Sequence, residues 1–302
     1  MPLTMTNEQV PIPNSEQGRR ENLLGRKERA WKDFYLKGNF TGAKPIYDEL
    51  YRTVSEWQVD SETMVEIVTD KAWNEYFIDK NGTTKTSTSY LSAKEGLEKL
   101  KDSEDVPKIH FLRSRLLEAA GLCEAYLVEE ADEPAEPLFV QSVEEAEKSQ
   151  TIERIGEAKN GFALWLISPK QKKFEEAIPL FEDVARVQEE AGNKRTAGHA
   201  HNNLVVCHNE TRQFEKAVEE ANKALVLYED PNLNHSFSAR FRKSLALRGL
   251  GRFEEALAIY ELHKSLRSQD SKLSEQEKVR LNTNEDTNIA ATRQQMQGSS
   301  PT

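Results

Sequence analysis

The sequence predicts an all-α chain, a solenoid of about six helical hairpins. Three observations predict it. Six alanines (Ala43, Ala93, Ala135, Ala177, Ala217 and Ala256) recur at intervals of 50, 42, 42, 40 and 39 residues. Four positions after each stands a larger apolar residue or alanine: Tyr47, Leu97, Phe139, Phe181, Ala221 and Tyr260. Three positions before its alanine, each of the best copies also carries an aromatic: Phe40, Phe174, Phe214 and Phe253. A period of this size marks stacked helical hairpins, and a methyl side chain lets two helices of one hairpin approach closely.

Taken in order, residues 1–18 carry three prolines and no apolar period, so they read as a disordered leader. A first helix is expected from about Glu21, with Leu24, Ala30, Trp31, Phe34 and Tyr35 on one side and a turn at Gly38-Asn39. Its partner runs from Thr41 to Trp57 through Ile46, Tyr47, Leu50, Tyr51 and Val54. A long helix over Ser61 to Asp79 follows, and Lys80 to Ser89, which has no apolar residue, reads as the loop behind the single gap of 50. Later pairs are expected at 107–130 with 134–148, 151–168 with 174–191, 195–210 with 214–229 and 235–249 with 253–267. Helix-internal Gly121, Gly156 and Gly161 are expected at close helix contacts, because glycine there costs roughly 1 kcal/mol against alanine. The repeat domain therefore spans 19–268. Within 269–302, Lys272 to Leu281 reads as a capping helix, and the Gln-, Asn- and Ser-rich remainder as a disordered tail.

Composition narrows the function. The chain has 302 residues, 37% hydrophobic and 30% charged, and a net charge of −10, which disfavours unspecific attraction to nucleic acid or anionic lipid. No 18-residue apolar run could span a bilayer, and Met1 to Ser15 has neither a charged n-region nor an apolar h-region. Cys123 and Cys207 have no disulfide-framework or metal-knuckle spacing. The expected compartment is the cytoplasm, where the Asn-x-Ser/Thr triplets at Asn39, Asn81 and Asn209 are chance matches.

The block Gly251-Arg-Phe253-Glu-Glu-Ala256-Leu-Ala-Ile-Tyr260 resembles the second-helix signature of a tetratricopeptide repeat. So do Lys173-Phe174-Glu-Glu-Ala177-Ile-Pro179-Leu-Phe181 and Gln213-Phe214-Glu-Lys-Ala217-Val. The repeats here are longer than that family's usual 34 residues. Pro45, Pro137 and Pro179, each two places after its alanine, resemble the kinesin-light-chain-like subtype, as does His201-Asn202-Asn203-Leu204. Such a proline is expected in the first turn of its helix, where backbone N–H groups lack intrahelical partners. The resemblance covers residues 21–267 and implies a right-handed α-solenoid. Trp165 and Val205 depart from the family's small first-helix residue, and Lys243 from its apolar neighbour.

The resemblance also implies a concave groove, formed by the first helices, that binds peptides or protein surfaces. Aligned on the alanines, the groove-facing positions are Lys159, Phe162 and Leu166 in the fourth hairpin and His199, Asn202, Asn203 and Val206 in the fifth. In the sixth they are Ser238, Phe241, Arg242, Leu245 and Arg248. Asparagine can grip an extended backbone because its amide both donates and accepts, and arginine can fork onto a carboxylate. Asn202 and Asn203 either meet a peptide or tie neighbouring helices together. Arg242 and Asn203 match two places of a two-carboxylate clamp for acidic chaperone termini, but Phe162, Leu166 and Ser238 replace its other donors, so that clamp is not expected.

His199, His201, Cys207 and His208 do not converge on one helix face, so no metal site is expected. No phosphate loop, nucleophile elbow or spaced carboxylate–histidine set is present. Glu175-Glu176 and Glu254-Glu255 suit the positive end of a helix and need no catalytic reading. The expected function is a non-catalytic adaptor or scaffold with no cofactor. Its partner is a protein or peptide, with acidic groups favoured by the arginines, and no nucleic acid, membrane or metal is expected. The alternative is a peptide-responsive regulator whose superhelix changes shape on binding.

Overall fold

The structure, a computed structural model, describes residues 15–34, 37–57, 59–81, 88–103, 105–127, 134–228, 234–269 and 273–298. Among them are thirteen helices and no strand. All six periodic alanines are buried. The chain divides into two compact units, residues 1–154 and 155–302.

Unit 1 contains α1 (Glu16–Asp33), α2 (Phe40–Trp57), α3 (Ser61–Asn81), α4 (Thr88–Lys99), α5 (Pro107–Tyr126) and α6 (Ala135–Lys148). Helix α7 (Ile152–Leu166) begins in this unit and ends in the next. One core gathers Leu23, Ala43, Tyr47, Leu50 and Ile67, and a second Tyr76, Tyr90, Leu116, Ala120 and Leu138. Along α3, Glu62, Glu66 and Asp70 form a stripe at four-residue spacing. It takes Arg20 (3.1 Å) and Lys27 (2.9 Å) from α1, and Lys108 and Arg115 (3.0 Å) from α5. Burial would raise the Glu66 carboxyl, but Lys108 and Lys27 hold it below the usual carboxylate range.

Unit 2 contains α8 (Phe174–Glu190), α9 (Lys194–Glu210), α10 (Phe214–Tyr228), α11 (Asn234–Gly249), α12 (Phe253–Gln269) and α13 (Glu275–Gly298). Successive helices from α8 to α13 pack in order, and α9 also packs on α11. The turns repeat. Lys172, Arg212 and Gly251 have φ of +53 to +71°, each two residues before the aromatic that opens a helix, as Gly38 is before Phe40. After Gly38, Gly192, Arg212 and Gly251 the next N–H returns to a carbonyl five residues back, for example Gln213 to His208 at 2.7 Å. These bonds satisfy helix-end carbonyls that would otherwise be orphaned.

Several expectations need correction. Helix α1 starts at Glu16 because the Ser15 hydroxyl accepts from the Gly18 N–H at 3.0 Å, so residues 16–18 are helical. The rest of the expected leader, residues 1–14, lies outside the described residues, as do Tyr35 and residues 82–87 of the expected loop. Ser89 is not loop. It is a buried residue of α4, and its hydroxyl donates to Asp79 at 3.0 Å. Pro45 and Pro179 are the sixth residues of their helices, past the first turn. Both are exposed, as are Thr41 and Glu175, whose carbonyls lose the i+4 donor, so the lost bonds fall on the solvent side of each helix. The capping helix expected over 272–281 is the start of the 24-residue helix α13, which continues through the segment expected to be a disordered tail. Its signal was a sparse set, Glu285, Ile289 and Thr292, that turns one narrow face inward; Ile289 joins Leu247, Ala256 and Tyr260. His263 and Arg267 of α12 hold Glu285 at 2.8 and 3.0 Å.

Candidate functional site

Helices α9 and α11 run side by side in parallel register, which follows from their paired contacts. Arg195 and His199 meet His235, and Asn202 meets Ser238 and Arg242. A buried face of α9 sets this geometry. On α9, Ala197, Gly198, Ala200 and Leu204 turn inward, and a Cβ on Gly198 would stand 2.7 Å from the Tyr228 ring. That close approach seats Tyr228 of α10 against α9, with its hydroxyl 3.1 Å from His199 Nδ1.

The face between the two helices carries most of the expected site residues. Asn202 is buried. Its amide nitrogen donates to Ser238 Oγ at 3.4 Å, and its amide oxygen is buried without a partner. Asn203 is half-buried, and its side chain has no hydrogen-bond partner among the described residues. Arg242 Nη1 donates to the Asn202 carbonyl at 2.8 Å, and Asn209 donates to the Arg242 carbonyl at 3.0 Å. Asn202 and Arg242 thus do tie the helices together. No carboxylate among the described residues pairs with Arg242, and burial lowers its guanidinium pKa. Phe241 is half-buried beside the Leu247–Tyr260 cluster, and Leu245 is exposed.

Other expected positions lie elsewhere. Leu166 is 1% exposed, so it is core and cannot face a groove. Lys159 is held by Asp183 of α8 at 2.7 Å. Phe162 lies on α7 and stacks on Trp165 of the same helix, with ring centroids 6.0 Å apart. Arg248 donates through Nε to Gln295 of α13 at 2.9 Å, a partner from the segment expected to be tail. His201 faces away from α11. It is clasped by Glu189 of α8 at 2.8 Å and Glu220 of α10 at 2.5 Å. Burial would lower its pKa, but these two carboxylates raise it. Among the described residues no group of three or more His, Cys, Asp or Glu side chains could hold a metal ion, and no helix is long and apolar enough to cross a membrane.

Sequence spacing missed two members of the α9–α11 face. Tyr228 falls at the end of a second helix, outside the first-helix alignment, and His235 lies one turn before the first position that the alignment marked. The available signal was Gly198, whose missing side chain admits an aromatic ring.

No protein-family model matches the chain, and no curated protein sequence does. Among solved structures, the crystal structure of the apo form of RapI superposes with a TM-score of 0.44 at 14% identity, over 83% of this chain and 77% of that one. The TPR2AB domain of yeast Sti1 in its pHSP90 complex superposes at 0.30, also with 14% identity, over 92% of this chain and 99% of that one. Neither superposition is close enough to carry an argument about this chain's site or ligand.

Proposed function

We propose that the chain is a non-catalytic binding module of the tetratricopeptide kind, in its kinesin-light-chain-like form, that takes a peptide or protein segment along α9 and α11. One observation carries this reading: polar groups equipped to hold a backbone stand on α9 and α11 with hydrogen-bonding or charge capacity unused. They are the Asn202 amide oxygen, the Asn203 amide and a guanidinium with no carboxylate. An extended peptide supplies N–H and C=O groups in alternation, so asparagine amides can hold it without reading its sequence. Phe241 and Leu245 add apolar contact, and Arg242 and Arg248 favour an acidic group.

A scaffold and a peptide-responsive regulator share this face. The Arg248–Gln295 bond favours the regulator, because a ligand carboxylate that recruits Arg248 competes directly with the terminal helix. Peptides selected by display against the full chain test the reading. Asn203→Ala is the clean variant, since that side chain braces nothing, and it should weaken a selected peptide about tenfold. The double change Asn203→Ala, Arg242→Ala should weaken it at least about thirtyfold, with circular dichroism unaltered. Unchanged affinity in both would move the binding surface off this face.

A further inference from the structure

The N-terminal ends of α9 and α11 carry a cluster to which the peptide-binding reading gives no role. His199 and His235 meet edge to face with ring centroids 4.2 Å apart. Arg195 Nη2 donates to His235 Nε2 at 3.4 Å, and the Tyr228 hydroxyl bonds His199 Nδ1 at 3.1 Å. No carboxylate among the described residues pairs with Arg195, His199 or His235. The first turns of both helices lack acidic residues, whereas α8, α10 and α12 each begin with at least one glutamate. Two parallel helices therefore present their positive ends together with three groups able to carry positive charge. One turn along α9, buried Asn202 adds an amide oxygen without a donor.

The geometry points to an anion subsite for a phosphoryl group, held by Arg195, His199 and His235 with Tyr228 as the neutral donor beside them. A phosphoryl group has three acceptor oxygens and up to two charges, which matches a guanidinium and two imidazoles better than one carboxylate does. The Arg195–His235 contact requires His235 Nε2 to accept, so His235 cannot be an imidazolium while that bond stands. An anion between them lets both donate outward instead. His199 faces Arg195 on its own helix, Tyr228 on α10 and His235 on α11. Burial first, then His235 and Arg195, lower its pKa. Burial pushes the Tyr228 hydroxyl up to about 12, so it stays a donor. Phosphoryl binding is therefore coupled to proton uptake by His199. The inference deepens the peptide-binding reading, because the Asn202 oxygen beside the cluster would accept a backbone N–H of the segment that carries the phosphoryl group.

Imidazole NMR of the histidine-labelled full chain tests the subsite without any peptide. The resonances are assigned with His199→Gln and His235→Gln, and inorganic phosphate is titrated at constant ionic strength against chloride. The titration midpoints of His199 and His235 should rise on saturation while His110 and His263 stay fixed, and Arg195→Gln should weaken phosphate about tenfold. A phosphoserine peptide binding more tightly than inorganic phosphate places the group on a chain, and equal affinity makes it a free small anion; either result sustains the subsite. Absent or uniform shifts of all histidines overturn it. So does a fall of both midpoints in Glu229→Gln, Asp230→Asn without any phosphate response, since the chain would then supply its own counter-charge. If display-selected peptides still depend on Asn203 after that failure, the subsite alone has failed. If phosphate binds and no peptide does, the peptide reading alone has failed.

Discussion

Unit 2 repeats itself and unit 1 mostly does not, although both are stacks of helical hairpins. In unit 2 a left-handed turn residue, an aromatic two places later and a buried alanine three places after that recur at Lys172, Arg212 and Gly251. Among its described residues unit 1 has that arrangement once, at Gly38, Phe40 and Ala43. Its remaining cohesion comes from large side chains around Tyr76, Tyr90 and Leu116, from the ion pairs along α3, and from a buried Arg154–Glu118 pair. Small residues close helices by letting backbones approach, which leaves a periodic trace in sequence. Bulky cores and ion pairs close them by complementarity between particular partners, and no fixed interval results.

The largest test of this contrast is Glu118→Ala. Arg154 is 1% exposed, and its Nε also donates to Ser114 Oγ at 2.9 Å. Removing the carboxylate breaks this buried ion pair, which costs about 3–5 kcal/mol. Chemical denaturation should show the loss, and hydrogen exchange should place it before residue 155. Equal loss of protection along the whole chain would erase the distinction between the units.

The matching test in unit 2 is Ala256→Leu. Ala256 is fully buried beside Leu247, Tyr260 and Ile289, so the added carbons overpack the contact of α11, α12 and α13 and should destabilise by about 1–3 kcal/mol. A melting temperature unchanged by this substitution would mean that the periodic alanines do not set the helix spacing.

The same contrast explains what could be read without coordinates. Helix order and most boundaries were legible throughout, because an amphipathic period survives in any helix with one buried face. The turns of unit 2 were legible because glycine or an aromatic marks them. Only the start of helix α13 was, since beyond Leu281 just Glu285, Ile289 and Thr292 face inward and two of those are polar. At the site, alignment on the alanines brought His199, Asn202, Asn203, Phe241 and Arg242 onto one helix pair. It could not show that Arg242 already braces the Asn202 carbonyl or that Arg248 is held by Gln295, because those partners are set by tertiary neighbours.

A smaller effect should follow at Arg212, which holds φ +57° where Gly251 occupies the equivalent turn at +71°. The left-handed conformation costs a residue with a Cβ about 1–2 kcal/mol, and glycine's extra freedom in the unfolded chain returns roughly 0.5–1 of that. Arg212→Gly should therefore raise stability by about 0.5–1 kcal/mol in denaturant melts, and Gly251→Ala should lower it. A loss in Arg212→Gly would mean that the arginine side chain, and not the backbone, matters at that turn.

The finest difference lies between the α3 stripe of unit 1 and one histidine clasp of unit 2, in their response to pH. The cations on the α3 stripe are lysines and arginines, which do not titrate near neutrality. In unit 2, by contrast, α8, α9 and α10 converge on His201, with Glu189 and Glu220 on its two ring nitrogens. The His201 pKa lies above its ordinary 6.5, because the carboxylates outweigh burial. Its contribution is then fully present below about pH 6.5 and is lost as pH rises through the higher folded value. Glu220 moves the other way. Burial would raise it, but His201 and Lys223 pull it below its ordinary 4.5, so its contribution is present above that value and fades as pH falls through the depressed one. The clasp is thus strongest between roughly pH 4.5 and 6.5. Unit 2 amides around α8 to α10 should lose exchange protection from pH 6 to 8, and His201→Gln should flatten that dependence while leaving the α1–α3–α5 region unchanged. A slope that survives His201→Gln would transfer the effect to another histidine and leave the three-helix clasp without a role in the titration.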